Sequence, residues 1–292
     1  MNGLSKLQHT WERLAKADPL GAICVDPTKL GGKWTVDEFF SAGVHEMDAV
    51  MRYLQSLGLQ PDPTAPGLDF GCGVGRLTRA MCAHVGRSYG IDIAPTMIDL
   101  ARRLNDREPR CVFLTNNSDQ LKLFGDGFFG FVYSSLVLQH VRPRYAARYL
   151  REFLRVLRPN GILVFQVVDD HYRDLKSRLT AMTGRVRHKL RIRSRLRNLL
   201  NPQATLENSV AHMIFQRVPM HPIREDRVRR IISEGGGQIV DVILTNSIEL
   251  GSNGRLQYFR SSTNDRVAKQ YCVTKSRVRR PTPPPVVVTG QR

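Results

Sequence analysis

Residues 68–76 read LDFGCGVGR, an acid at Asp69 followed by three alternating glycines, Gly71, Gly73 and Gly75. Glycine lacks a Cβ, so it lets a chain turn through left-handed backbone and lets a ligand approach closely. The apolar residues before the loop read as a strand, and those from Arg76 onward read as a helix. A helix N-terminus presents N–H groups and a favourable dipole to negative charge. Two ligands suit such a loop: the pyrophosphate of a dinucleotide, or an amino-acid end carrying a carboxylate and an ammonium. The dinucleotide pattern G-x-G-x-x-G needs its last glycine at position 76, where this chain has Arg76. Asp69 supplies the charge that an ammonium needs, so the spacing favours the amino-acid end. Seventeen residues after Gly75, Asp92 closes the segment YGID. An acid there can accept from both hydroxyls of a ribose. Pro95 suits a first helical position and makes Ala94 the cap, which weakens a purely capping role for Asp92.

His140 ends the segment SLVLQH and is the candidate general base, because imidazole titrates near neutral pH. Its competing role is to cap or fix the loop that follows. Trp34, Phe39, Phe40 and His45 precede the glycine loop. They are candidates either for a lid over it or for ordinary core. Cations occupy positions 185, 187, 189, 191, 193, 195 and 197 in GRVRHKLRIRSRLRNLL. On a helix, Val186, Leu190 and Leu196 share an apolar arc among these cations. Such a helix suits an anionic membrane surface or a phosphorylated substrate, with RNA a less favoured partner and a merely solvated face the default.

The elements that must position these residues alternate. Strands are expected at GLDF, RSYGID, CVFLTN, GFVYSSL, GILVFQVV, QIVDVIL and QYCVTK, with helical patterns between most of them. Before them lie two helical stretches. KLQHTWERLAKA puts Leu7, Trp11, Leu14 and Ala15 on one face, and TVDEFFSAGVHEMDAVMRYLQSLG stops at Gly58. The expected layout is an N-terminal helical extension or lid over 1–66 and a cofactor-binding core over 67–170. A basic helical insert over 171–222, a C-terminal helix with the last two strands over 223–278 and a tail over 279–292 follow.

The chain has 292 residues and a formal net charge of +18. That charge is uneven: −2 over residues 1–66, +4 over 67–170 and +16 over the rest. The basic character therefore belongs to the C-terminal part and not to the glycine loop. The five cysteines, Cys24, Cys72, Cys82, Cys111 and Cys272, show no C-x-x-C spacing. Neither a disulfide framework nor a metal site is expected, and a reducing, cytoplasmic setting fits. The first twenty residues lack the apolar centre of a secretory signal.

Taken together, LDFGCGVGR, YGIDIAPTMIDLAR, DGFFGFVYSSLVLQHV and LRVLRPNGILVFQV resemble the class I S-adenosylmethionine-dependent methyltransferases over residues 65–170. The resemblance implies an α/β, Rossmann-like seven-strand sheet with helices on both faces and an antiparallel last strand. It implies S-adenosylmethionine as cofactor, with Asp69 near the methionine ammonium, Asp92 on the ribose, and Ile93 and Met97 flanking the adenine. Asn117 would accept from the adenine amino group, an ordinary turn being the alternative. Gly71, Cys72, Gly73, Gly75, Ser118 and Leu136 complete the cofactor contacts. An Asn/Asp-Pro-Pro-aromatic turn, used on base amines, and a Pro-Cys pair, used on pyrimidine carbon, are both missing. The acceptor left is an oxygen or nitrogen of a small molecule, a sugar or a lipid-linked compound. The alternatives are an RNA-associated methyltransferase and a non-catalytic cofactor-binding protein.

Overall fold

The computed structural model describes residues 3–23, 29, 31–169, 218–245 and 267–275. The basic run 185–197 and the tail 279–292 lie outside the described residues. Three helices come first: α1 (Gly3–Ala17), α2 (Pro19–Ile23) and α3 (Val36–Ser56). The alternating part follows as β1 (Pro66–Phe70), α4 (Arg76–Met81), β2 (Arg87–Asp92), α5 (Pro95–Leu104), β3 (Cys111–Thr115) and β4 (Phe129–Ser134). A short 3-10 turn (Leu138–His140), α6 (Pro143–Val156), β5 (Leu157–Asp169), α7 (Glu225–Glu234), β6 (Gly237–Thr245) and β7 (Val267–Lys275) complete it.

The seven strands form one sheet in the order β3-β2-β1-β4-β5-β7-β6. The pairs from β3 through β5 are parallel, and β7 runs antiparallel to both β5 and β6. The Rossmann-like sheet with an antiparallel last strand is therefore present. One boundary differs from expectation. Strand β5 begins at Leu157, ahead of Gly161, because Leu157 already pairs with Phe129 before an irregularity in the ladder.

Side chains alternate across a strand, and the two faces of this sheet are both apolar. Val132, Leu163 and Phe165 pack with Leu150, Phe153 and Leu154 of α6 and with Val228, Ile231 and Ile232 of α7. Their neighbours Phe131, Tyr133, Ile162 and Val164 face the other way, against Met47, Val50 and Leu54 of α3 and Leu77 and Met81 of α4. The N-terminal extension is thus part of the core. Its α3 starts with a capping box, Thr35 and Glu38 bonding each other's backbone N–H. No helix among the described residues is long and apolar enough to cross a membrane.

The strand order reverses between β1 and β4, which leaves a crevice at the carboxyl ends of β1, β2 and β4. Phe70, Asp92 and Ser134 end those three strands.

Candidate active site

A cavity of about 270 Å³ opens at that crevice. Its floor is Phe70, Gly71 and Gly73 after β1, and Ile91, Asp92, Ile93 and Met97 after β2. Asn116 after β3 and Ser135, Leu136 and Val137 after β4 continue it. The cover comes from Leu7, Trp11 and Leu14 of α1, from Ala22 and Ile23 of α2, and from Val218 and Met220. Gln139, His140, Val141 and Tyr149 close the remaining side. Trp34, Phe39, Phe40 and His45 are absent from this lining. Phe39 and Phe40 are fully buried with Val74, Ala94 and Met97, so they are core, and the N-terminal residues that line the cavity come from α1 and α2 instead.

The glycine loop makes the floor thin. Gly71 and Gly73 have φ of 80° and 53°. A Cβ on Gly73 would meet Ile23 Cδ1 at 2.3 Å, so the loop and its cover are in contact at that residue. Gly75 works differently. Its φ is 86°, and a Cβ there would press on the Phe113 ring at 2.6 Å. It provides the close helix–strand packing that the dinucleotide pattern assigns to position 76, and Arg76 is left to turn away. Arg76 reaches Glu46 of α3 at 2.7 Å, and both side chains are buried.

The expectation of N–H groups free to hold an anion is not met along most of the loop. The N–H groups of Gly71 and Cys72 both donate to Ile91 O, that of Gly75 to Cys72 O, and that of Gly73 to Asp92 Oδ2 at 3.0 Å. What the loop offers a ligand is close approach of backbone, not a nest of donors.

Asp92 is half-buried in this network. Its other oxygen accepts from Ala94 N at 2.9 Å, and Ala94 is the cap of α5. Burial raises its pKa, while the bonds from Ala94 and Gly73 pull the other way. Asp69 lies behind the cavity wall rather than on it. Its Oδ2 accepts from Thr78 Oγ1 at 2.7 Å, and burial pushes its pKa up to about 7. Cys72 and Gly75 also sit behind the lining.

Asn116 faces the cavity, whereas Asn117 is exposed. The reason is strand parity: Asn116 follows directly on β3, with its N–H bonded to Asp92 O, and the next residue points outward. Ser118 lies off the lining and serves as an anchor, its carbonyl accepting from Asn116 Nδ2 and Tyr149 OH. Leu136 has φ 61°, which a branched side chain rarely adopts. Its N–H donates to Gln166 Oε1 at 3.2 Å, which holds the turn against the cavity. Leu7, Trp11, Ile23 and Met220 were beyond sequence reasoning, since only the fold brings them over the sheet edge.

His140 stands at the rim of the apolar half. Its ring meets Trp11 edge-on at 5.5 Å. Nε2 lies 3.2 Å from the Gln139 amide nitrogen, so with the amide donating, the imidazole nitrogen accepts. Burial pushes its pKa down to about 4, against a smaller opposing pull from the Pro219 carbonyl. At neutral pH the imidazole is therefore uncharged, and its Nε2 lone pair is held by the Gln139 amide.

Residues 68–165 match the family described as Methyltransferase domain. Over this segment the chain is similar to methyltransferase domains. It is 32% identical over 142 residues to malonyl-[acyl-carrier protein] O-methyltransferase of Serratia marcescens, covering 47% of this chain and 53% of that protein. It is 34% identical over 133 residues to 2-methyl-6-phytyl-1,4-hydroquinone methyltransferase of Synechocystis, covering 44% and 40%. The chain spans about half the length of the curated relatives it matches. The fold as a whole is similar to that of magnesium protoporphyrin IX methyltransferase from Synechocystis, crystallised with bound SAM. That likeness has a TM-score of 0.54 at 14% identity over 94% of this chain and 98% of the other. The matched segment of the methyltransferase domain carries the glycine loop, Asp92 and His140.

Proposed function

We propose that this chain transfers a methyl group from S-adenosylmethionine to an oxygen or nitrogen of a small, largely apolar acceptor. The observation that carries this reading is the cavity itself. Its lining joins glycine backbone and the half-buried Asp92 to an apolar set, Trp11, Val141, Tyr149 and Met220, with His140 among them. In this reading Asp92 accepts from the ribose hydroxyls, Ile93 and Met97 pack on the adenine, and Asn116 takes the role expected of Asn117. When bound, the cofactor supplies an electrophilic methyl on a sulfonium. The chain holds the acceptor in line in a water-poor pocket, and positioning alone can supply roughly 7–11 kcal/mol of such a barrier. The relatives bear names of enzymes acting on malonyl-acyl-carrier protein, a phytyl hydroquinone and N-demethylindolmycin; the first name specifies oxygen and the last nitrogen. A tritiated-methyl transfer assay against fractionated small-molecule extract tests the reading. Label should appear in apolar low-molecular-weight fractions. Label confined to RNA would overturn the acceptor class.

Asp92→Ala should weaken S-adenosylmethionine binding by about 10- to 150-fold. Hydrogen bonds to a charged group are worth roughly 1.5–3 kcal/mol, and the change also releases Gly73. Asp119→Ala should leave affinity within about twofold, because Asp119 pairs with Arg148 at the surface. Equal losses in the two variants would contradict the placement of the ribose.

The cations at 185–197 extend the proposal from sequence alone. They would hold the chain at an anionic surface without entering the chemistry, at about 1 kcal/mol per basic side chain. Replacing Arg191, Arg193, Arg195 and Arg197 by Gln should abolish co-sedimentation with anionic vesicles at low salt and leave cofactor affinity unchanged. Loss of RNA binding with no vesicle binding in either protein would reassign the segment.

A further inference from the structure

Two cysteines that lie 29 positions apart in sequence meet in the fold. Cys82 caps the C-terminus of α4, and Cys111 opens β3. Their sulfurs are 3.3 Å apart, and both are thiols. Cys82 is buried, whereas Cys111 is partly exposed and gives solvent a route to the pair. Neither belongs to the cavity lining, so methyl transfer makes no use of them.

We propose that Cys82 and Cys111 form a reversible oxidation site, a dithiol that a peroxide converts to an intramolecular disulfide. Its surroundings favour the first proton loss. The thiol of Cys111 bonds to Cys82 and brings the Cys82 pKa down to about 7. The Arg110 guanidinium, which donates to Cys82 O at 2.7 Å, adds to this, and Glu108 opposes it. Arg79 faces Cys111 from α4. Thiolates beside arginines are the reactive form of cysteine.

The step balances with one peroxide. After the first proton loss the two sulfurs share one proton across 3.3 Å. With that proton on Cys82, the half-exposed Cys111 thiolate attacks a peroxide oxygen and the O–O bond breaks. The hydroxide released takes up a proton to leave as the first water, with a sulfenic acid left on Cys111. The neighbouring sulfur then attacks that sulfenic sulfur, the S–O bond breaks, and the second water leaves. Both thiol hydrogens end in water, two sulfurs are oxidised and one peroxide is reduced. Short movements suffice, since a disulfide needs the sulfurs to close from 3.3 Å to about 2.05 Å. The bond would tie the far end of α4 to β3, where Gly75 already packs on Phe113.

The test treats the full chain with a small excess of hydrogen peroxide, quenches with alkylating reagent in denaturant and digests with trypsin without reduction. The expected product joins the peptide 80–87 to the peptide 111–122. It should separate on reduction, with Cys72 and Cys272 still alkylated. In Cys82→Ser, Cys111 should stop at a sulfenic acid that dimedone traps. In Cys111→Ser, the linked peptide should vanish and Cys82 should stay reduced under the same dose. Direct conversion of Cys111 to sulfinic acid in the unsubstituted chain, or linkage of other cysteines first, would overturn the proposal.

Discussion

His140→Ala should lower turnover by about 10²- to 10⁴-fold, the range for loss of a general base, with affinity for S-adenosylmethionine nearly intact. The imidazole lines the cavity, edge-on to Trp11, and shares no hydrogen bond with the glycine loop or Asp92. An acceptor hydroxyl or amine entering there would replace the Gln139 amide as the group bonded to Nε2 and would lose its proton as the methyl arrives. Because burial holds the His140 pKa near 4, kcat/KM should rise through about pH 4 and stay level toward neutrality. The same depression has a stability sign. The unfolded imidazole keeps its ordinary value of 6.5, so between that pH and about 4 the unfolded chain binds a proton that the folded chain refuses. This contribution is complete above pH 6.5 and is lost as pH falls through 4. His140→Ala should flatten both dependences. An equal loss of cofactor affinity would make the residue a cofactor contact or a prop for the loop.

Glu46→Ala should destabilise the fold by about 3–5 kcal/mol, the cost of leaving a buried cation without its partner. Glu46 accepts from Arg76 at 2.7 Å on one oxygen and from Tyr133 OH at 3.0 Å on the other. Both Glu46 and Arg76 are under 5% exposed, so water cannot repair the loss. The pair joins α3 to α4, the short helix that follows the glycine loop. Thermal unfolding should shift down by roughly 10 °C for a chain of this size. The paired change Glu46→Leu with Arg76→Met should recover most of that, since well-packed apolar replacements of buried ion pairs are often neutral. A drop as large as that of the single variant would mean that the cluster matters for more than its charges.

Local patterns announced the strands, the glycine loop and Asp92, because alternation, turn residues and an acid at a strand end are all short-range signals. Arg76 was informative for a different reason than its structural role. Its bulk argued against a dinucleotide loop, yet in the fold it matters as the partner of Glu46, thirty residues earlier. Such pairing has no local signature. Phe39 and Phe40 illustrate the same limit, since aromatics on a helix face look alike whether they cover a ligand or a sheet. The cover came instead from Leu7, Trp11 and Leu14, whose stripe was legible but whose target was not. Asn116 and not Asn117 faces the cavity, a one-position difference that depends on where β3 ends. The Cys82–Cys111 contact was hidden because only the packing of α4 against β3 brings the two together.

Titration calorimetry of the full chain with S-adenosylmethionine, its demethylated product and NAD tests the central claim most directly. S-adenosylmethionine and its demethylated product should each give a one-site isotherm, weakened by Asp92→Ala, and NAD should give no heat above dilution. Saturable NAD binding with no signal from S-adenosylmethionine would contradict the assignment of this cavity.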